Sequence, residues 1–198
     1  MLKEVKIISI IVFLFIIFIF IVCNISITME TSGTPKKIPI YSVETDKKTI
    51  SISFDAAWGA EHTEKILNTL DDYEIKTTFF LVGFWIDKYP EMVSEIDKRG
   101  HEIGSHSENH LHMNSLSSTK IENELKSVEK KLEIITEKKP VLFRPPFGEY
   151  NNNLIETCNS LDYYVIQWDV DPLVIKKQRV KVLKNQYFHS IFISSFDI

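Results

Sequence analysis

Two cysteines in 198 residues, Cys23 and Cys158, are too few for a disulfide framework. Cys23 lies within a long apolar run, and Phe20-Ile21-Val22 before it lacks the small residue that a lipoprotein signal carries beside its cysteine, so lipidation is not expected. Cys158 falls in a segment of helical pattern and reads as a small buried apolar residue. An excess of basic charge is missing too. With 23 Lys and Arg against 27 Asp and Glu, the net charge of −4 leaves no electrostatic ground for a nucleic-acid partner, whose phosphates call for a basic stripe. Neutral and acidic ligands stay open. Nor is apolar content low: 44% hydrophobic and 25% charged residues describe a chain that buries a core as one domain, which excludes a disordered protein.

One stretch lacks charge altogether. From Ile7 to Val22 the residues are Ile-Ile-Ser-Ile-Ile-Val-Phe-Leu-Phe-Ile-Ile-Phe-Ile-Phe-Ile-Val, extended weakly through Ile25 and Ile27. About 20 helical residues at roughly 1.5 Å each match a hydrocarbon layer of about 30 Å. Lys3 and Lys6 precede the run, so the positive-inside rule keeps the N-terminus cytoplasmic and sends the chain beyond Thr28 outward. Residues 1–28 are therefore expected to form a transmembrane anchor. A cleaved signal has a shorter apolar region and a small-x-small site, which neither Cys23-Asn24-Ile25 nor Ser26-Ile27-Thr28 supplies. The expected location is the membrane, on its extracytoplasmic face, or secretion if the segment is cleaved. Residues 29–37, polar and rich in breakers, read as a linker.

From residue 38 to residue 171 short apolar runs alternate with helical patterns. Ile40 to Val43 and Thr49 to Phe54 read as a β-hairpin whose second strand ends at Asp55. Helical spacing continues over 61–73, then a strand over 76–82, a helix carrying Met92, Val93 and Ile96, a strand over 101–105, and a long helix over 117–136. Val141 to Phe143, 152–161 and 163–168 repeat the alternation. Apolar strands alternating with amphipathic helices predict an α/β fold with a parallel sheet, open or closed into a barrel.

Three segments carry chemistry. In Ser53-Phe54-Asp55-Ala56-Ala57-Trp58-Gly59, His106-Ser107-Glu108-Asn109-His110 and Arg144-Pro145-Pro146-Phe147-Gly148, the residues Asp55, His106 and Arg144 each follow a predicted strand, on the side where α/β barrels collect catalytic residues. A carboxylate at a strand end suits a base, although a lone Asp there is more often a cap or turn former. Two histidines four apart suit metal ligation, although zinc ordinarily takes a third protein ligand. Pro145 and Pro146 make a rigid rim, and Gly148 permits a turn or the close approach of a substrate. Taken together the segments read as one dispersed hydrolytic site. His101 and His112 beside the pair, His62 at a helix start and His189 near the end of the chain read as structural or exposed.

The same segments, in this order, resemble the polysaccharide deacetylase family, also called the NodB-homology or carbohydrate esterase 4 family, whose members remove acetyl groups from chitin-like and peptidoglycan polymers. Ser-Phe-Asp-x-x-Trp-Gly resembles the branch of endospore-forming bacteria associated with sporulation. The resemblance implies an irregular (β/α) barrel, with Asp55 as general base on metal-bound water, Arg144 orienting that carboxylate, and His106 and His110 holding a divalent metal, zinc by preference. It also implies an oxyanion donor at the backbone N–H of Phe147, and substrate contacts from Pro145, Pro146, Phe147 and Gly148. The partner it implies is cell-wall polysaccharide, with the membrane as a second partner through the N-terminal helix.

Two departures from the family pattern stand out. Its second aspartate, a metal ligand, is replaced by Ala56, with Glu61 and Glu108 the nearby carboxylates that would make up the loss. After Asp171 the expected Asp-Trp pair and Leu-x-His strand, whose histidine serves as general acid, give way to a basic, unpatterned tail over 172–198. The sequence is therefore read as a deacetylase-like domain over 38–171 with a divergent tail, a barrel incomplete at its C-terminus, and impaired hydrolysis of carbon–nitrogen bonds in linear amides. The alternative reading is a non-catalytic glycan-binding protein.

Overall fold

Where the sequence sets an apolar run between breakers the chain forms a strand, and where apolar residues recur at helical spacing it forms a helix. The computed structural model describes residues 2–27, 34–46, 49–170 and 189–197, the side chains of 2–5, 7, 23–27 and 189–197 excepted. It comprises two units, Met1–Pro35 and Lys36–Ile198. The first contains one helix, α1 (Leu2–Ile27). Its apolar side chains from Ile8 to Val22 are exposed. Among the described residues no helix is long and apolar enough to cross a membrane. The stretch expected to be an anchor is helical from Leu2 to Ile27.

The second unit runs β1 (Ser42–Glu44), β2 (Ile50–Ala56), α2 (Thr63–Asp72), β3 (Thr78–Leu81), α3 (Gly83–Lys88), α4 (Pro90–Lys98), β4 (Glu102–Ser105), α5 (Ser118–Thr136), β5 (Leu142–Phe143), α6 (Asn152–Ser160), β6 (Tyr164–Val165) and β7 (His189–Asp197). The helix ends obey local chemistry. Pro90 opens α4, where its missing N–H costs nothing, and the Asn151 side chain caps α6 by accepting from the Leu154 N–H at 2.8 Å.

The strands form one sheet in the order β1-β7-β2-β3-β4-β5-β6, parallel throughout except for β1 against β7. A parallel bridge between Ile40 and Ile166 joins the two edges, with the Ile40 N–H donating to the Val165 carbonyl and the Gln167 N–H to the Ile40 carbonyl, both at 2.8 Å. The sheet therefore curls back on itself as an α/β barrel. Two expectations are corrected. The expected hairpin of β1 and β2 is absent, because β7 lies between them and pairs with both. The tail, expected to lack pattern, contributes this strand, whose Ser-Ile-Phe-Ile-Ser-Ser-Phe run carries the β-branched and aromatic residues that pleated backbone favours. Residues 171–188 lie outside the described ones.

Two apolar clusters line the helix side of the sheet. One gathers Phe79, Leu81, Trp85, Val93 and Val128 beneath α2 to α5, and the other gathers Leu125, Phe143, Leu154, Cys158 and Val165 beneath α5 and α6. Each large side chain so buried contributes roughly 1.5–3 kcal/mol. Cys158 is part of this packing, and burial pushes its thiol up to about 12, so it is inert at neutral pH.

Candidate active site

Asp55, His106 and Arg144 stand at or just beyond the C-terminal ends of β2, β4 and β5, tied together by the continuing ladder. The His106 N–H donates to the Leu81 carbonyl at 2.9 Å, and the Arg144 N–H to the Ser105 carbonyl at 3.0 Å. Parallel pairing brings three segments far apart in sequence to one end of the sheet.

Arg144 is wholly buried and organises the centre. Its Nη1 donates to Asp55 Oδ1 at 2.8 Å and its Nη2 to Ser53 Oγ at 2.8 Å. Its guanidinium also stacks over the Phe80 ring at 4.1 Å, with Trp168 at 5.6 Å. A buried charge persists only when paired, and here the pair fixes the direction of the Asp55 carboxylate. The Arg144 carbonyl lies 2.7 Å from His106 Nδ1, so the residue that orients Asp55 also orients the first imidazole. Ser53 opens the first segment, but nothing in the sequence assigns it this bond to Arg144.

His106 and His110 come together, their ring centroids 5.1 Å apart. Their turn is held by a carboxylate from another element. Glu124 of α5 accepts from the Glu108 and Asn109 N–H groups at 2.9 and 2.8 Å and from Asn109 Nδ2 at 2.7 Å. Glu108, a candidate replacement ligand by sequence, is instead paired with Lys131 at 2.5 Å. Glu61 joins no ligand set either: among the described residues no group of three or more His, Cys, Asp and Glu is placed to hold a metal ion. Ala56, 1% exposed, lies in the apolar cluster. The donor set is thus two imidazoles, one short of the usual protein ligands of a catalytic zinc.

Aromatic residues form the rim. Phe147, 56% exposed, sets its ring edge-on to His110 at 4.7 Å and stacks on His112 at 4.3 Å. Trp58, 64% exposed, packs against His110 and Phe84, each at 5.7 Å. Pro146 opens a single 3₁₀ turn in which Phe147 takes a left-handed φ of 60°. Gly148 comes next at φ 68°, and a Cβ there would meet the Trp168 ring at 2.9 Å, so glycine is required both by backbone and by space. Gln167 Nε2 donates to the Gly148 carbonyl at 2.9 Å and fastens the rim to the end of β6.

The other histidines take the expected places. His101 is buried at the opposite end of β4, His112 is exposed and bonded to Glu149 at 3.0 Å, and His62 occupies the N-cap position of α2 without a side-chain capping bond. The side chain of His189 lies outside the described residues.

The profile of the family described as polysaccharide deacetylase matches residues 42–166. The chain belongs to this family. A peptidoglycan-N-acetylglucosamine deacetylase of Bacillus cereus is 35% identical over 128 residues, 65% of this chain and 60% of that protein. Among solved structures, wild-type BA3943 of Bacillus anthracis, described as a CE4 family pseudoenzyme, matches with a TM-score of 0.72 at 28% identity, over 80% of this chain and 58% of that one. A BA3943 mutant described as having restored enzymatic activity matches with the same TM-score at 29% identity, over 80% of this chain and 60% of that one. The chain spans between 48% and 60% of the length of the first curated relatives it matches.

Proposed function

We propose that this chain engages N-acetylated cell-wall polysaccharide, peptidoglycan or a chitin-like glycan, and that its site is built for hydrolytic removal of the acetyl group. The observation that carries the reading is the buried Asp55–Arg144 pair at 2.8 Å beside His106, within a family profile covering 42–166. Asp55, held by Arg144, takes the proton from the attacking water. The backbone N–H of Phe147 stabilises the oxyanion, a contribution commonly worth roughly 3 kcal/mol. Pro145, Pro146, Phe147 and Gly148 form one wall of the glycan groove. A divalent metal, zinc by preference, would be held by His106 and His110 with water completing its shell, and would supply Lewis acidity and a lowered water pKa. With two protein ligands its affinity is low and turnover impaired.

The same proposal places the protein on the outer face of the membrane. Its support is the charge-free run over 7–22 behind Lys3 and Lys6 in the sequence. A role in sporulation rests on the Ser-Phe-Asp-x-x-Trp-Gly segment.

A second reading, a glycan binder without chemistry, is favoured by Ala56 and by the two-imidazole donor set. Acetate release from peptidoglycan decides between the two. Release that is lost in Asp55→Ala supports the hydrolase. Glycan retention that survives chelator, without any acetate, supports the binder.

A further inference from the structure

The His106–His110 turn has an expensive backbone. Ser107 and His110 both lie in the left-handed region, at φ 67° and 52°, which residues with a Cβ avoid. Such a conformation persists only where its surroundings over-determine it. Two hydroxyls help, one at the end of β4 and one in the turn, since Ser105 Oγ accepts from the Ser107 N–H at 3.3 Å and Ser107 Oγ from the His110 N–H at 3.0 Å. Those bonds leave the N–H groups of 108 and 109 without internal partners, and both are taken by Glu124.

Glu124 is itself out of place by the rules of its helix. It lies on the buried side of α5, only 8% exposed, between Ile121 and Leu125, where the apolar spacing calls for a hydrophobic residue. A carboxylate in such a position is costly unless its oxygens are filled by donors. Here Oε2 receives two backbone N–H groups and Oε1 receives Asn109 Nδ2, all three from the histidine turn. Seven residues further along α5, Lys131 holds the Glu108 side chain at 2.5 Å and Asp87 at 2.6 Å. The turn is also stitched to the start of α3, where the Gly83 and Phe84 N–H groups donate to the Ser107 and Glu108 carbonyls at 3.0 and 3.3 Å.

We propose that Glu124 is a positioning residue: its buried carboxylate clamps the 106–110 turn from α5 and thereby sets the two imidazoles against each other before any metal or substrate arrives. The functional weight of this clamp rests on the reading of His106 and His110 as the working pair. Its geometric content does not. A carboxylate on a long helix is fixed by that helix's own core packing, so the clamp transmits the rigidity of α5 to a turn that has little of its own.

The test compares Glu124→Gln, Glu124→Ala and Val128→Ala in the full chain in detergent micelles, by amide exchange at 108 and 109 and by the imidazole nitrogen resonances of His106 and His110. Val128→Ala weakens the same helix from its apolar cluster and serves as the control for simple destabilisation. Glu124→Ala should speed exchange at both amides at least tenfold relative to β3 and shift both imidazole resonances. Glu124→Gln keeps one oxygen to accept both backbone donors and should stay within threefold of the native chain. Imidazole resonances unchanged in Glu124→Ala, or changed equally in Val128→Ala, would overturn the proposal. Because these readouts need neither metal nor substrate, failure of the native chain to release acetate would strike the deacetylase reading alone.

Discussion

At position 56 the proposed site carries a methyl group where the resembled family pattern places an aspartate. Ala56 is buried beside Ala57 in the apolar cluster, immediately after the carboxylate that Arg144 holds. Ala56→Asp should therefore cost stability in the absence of metal, by about 1–3 kcal/mol for a buried group left unpaired. Zinc should return that loss, because a ligand that binds only the folded state stabilises it. The checks are denaturant unfolding with and without zinc, and zinc affinity by calorimetry, which should rise at least tenfold over the native chain. Unchanged affinity would mean that His106 and His110 are not half of a metal site. Asp55, His106, His110 and Arg144 are legible in the sequence because each sits in a short run of distinctive residues at a strand end. Ser53 and Glu124 are not, since each acts on a partner brought near only by folding, 91 residues away for Ser53 and 16 for Glu124. A serine in a strand and a glutamate in a helix look the same whether or not they reach a site.

Most elements from β2 to β6 are legible for a physical reason: β2, β3 and β4 carry consecutive buried residues, and the longer helices carry clear apolar stripes. The features that escape depend on shortness or on pairing. α3 is only six residues, too short for a periodic signal, and is separated from α4 by Tyr89 alone. β1 reads correctly as a strand, but its partner is some 150 residues away, a fact that periodicity cannot carry. β7 is hidden by the basic stretch before it. Its place in the sheet makes it testable. Ile191 pairs in register with Ser42 of β1 and with Ile50 of β2, so it has neighbours on both sides. Proline there removes a ladder donor and is tolerated only on edges. Ile191→Pro should lower stability by about 1–3 kcal/mol for the bond left unmade, measured by urea unfolding. A loss within experimental error would detach β7 from the sheet.

At the scale of the whole molecule, an acid-sensitive group is expected at the end of the sheet opposite the site, at His101. His101 is buried against Phe79, its Nδ1 accepting from the Thr77 N–H at 3.3 Å, and its Nε2 has no hydrogen-bond partner among the described residues. Burial holds its pKa below the ordinary imidazole value, Lys76 and Arg99 push in the same direction, and Asp71 opposes them. Protonation would also set a proton on Nδ1 against the Thr77 donor. Below about pH 6.5 the unfolded chain takes up a proton that the folded chain refuses, so stability falls as the pH drops through the lowered folded value. Above that range both states are neutral and the dependence vanishes. His101→Gln, whose amide oxygen can still accept from Thr77, should flatten the change in urea midpoint between pH 7 and pH 5. The other five histidines are common to both proteins, so the difference between the two curves isolates this one group. Parallel curves would mean that the acid sensitivity of the molecule lies elsewhere.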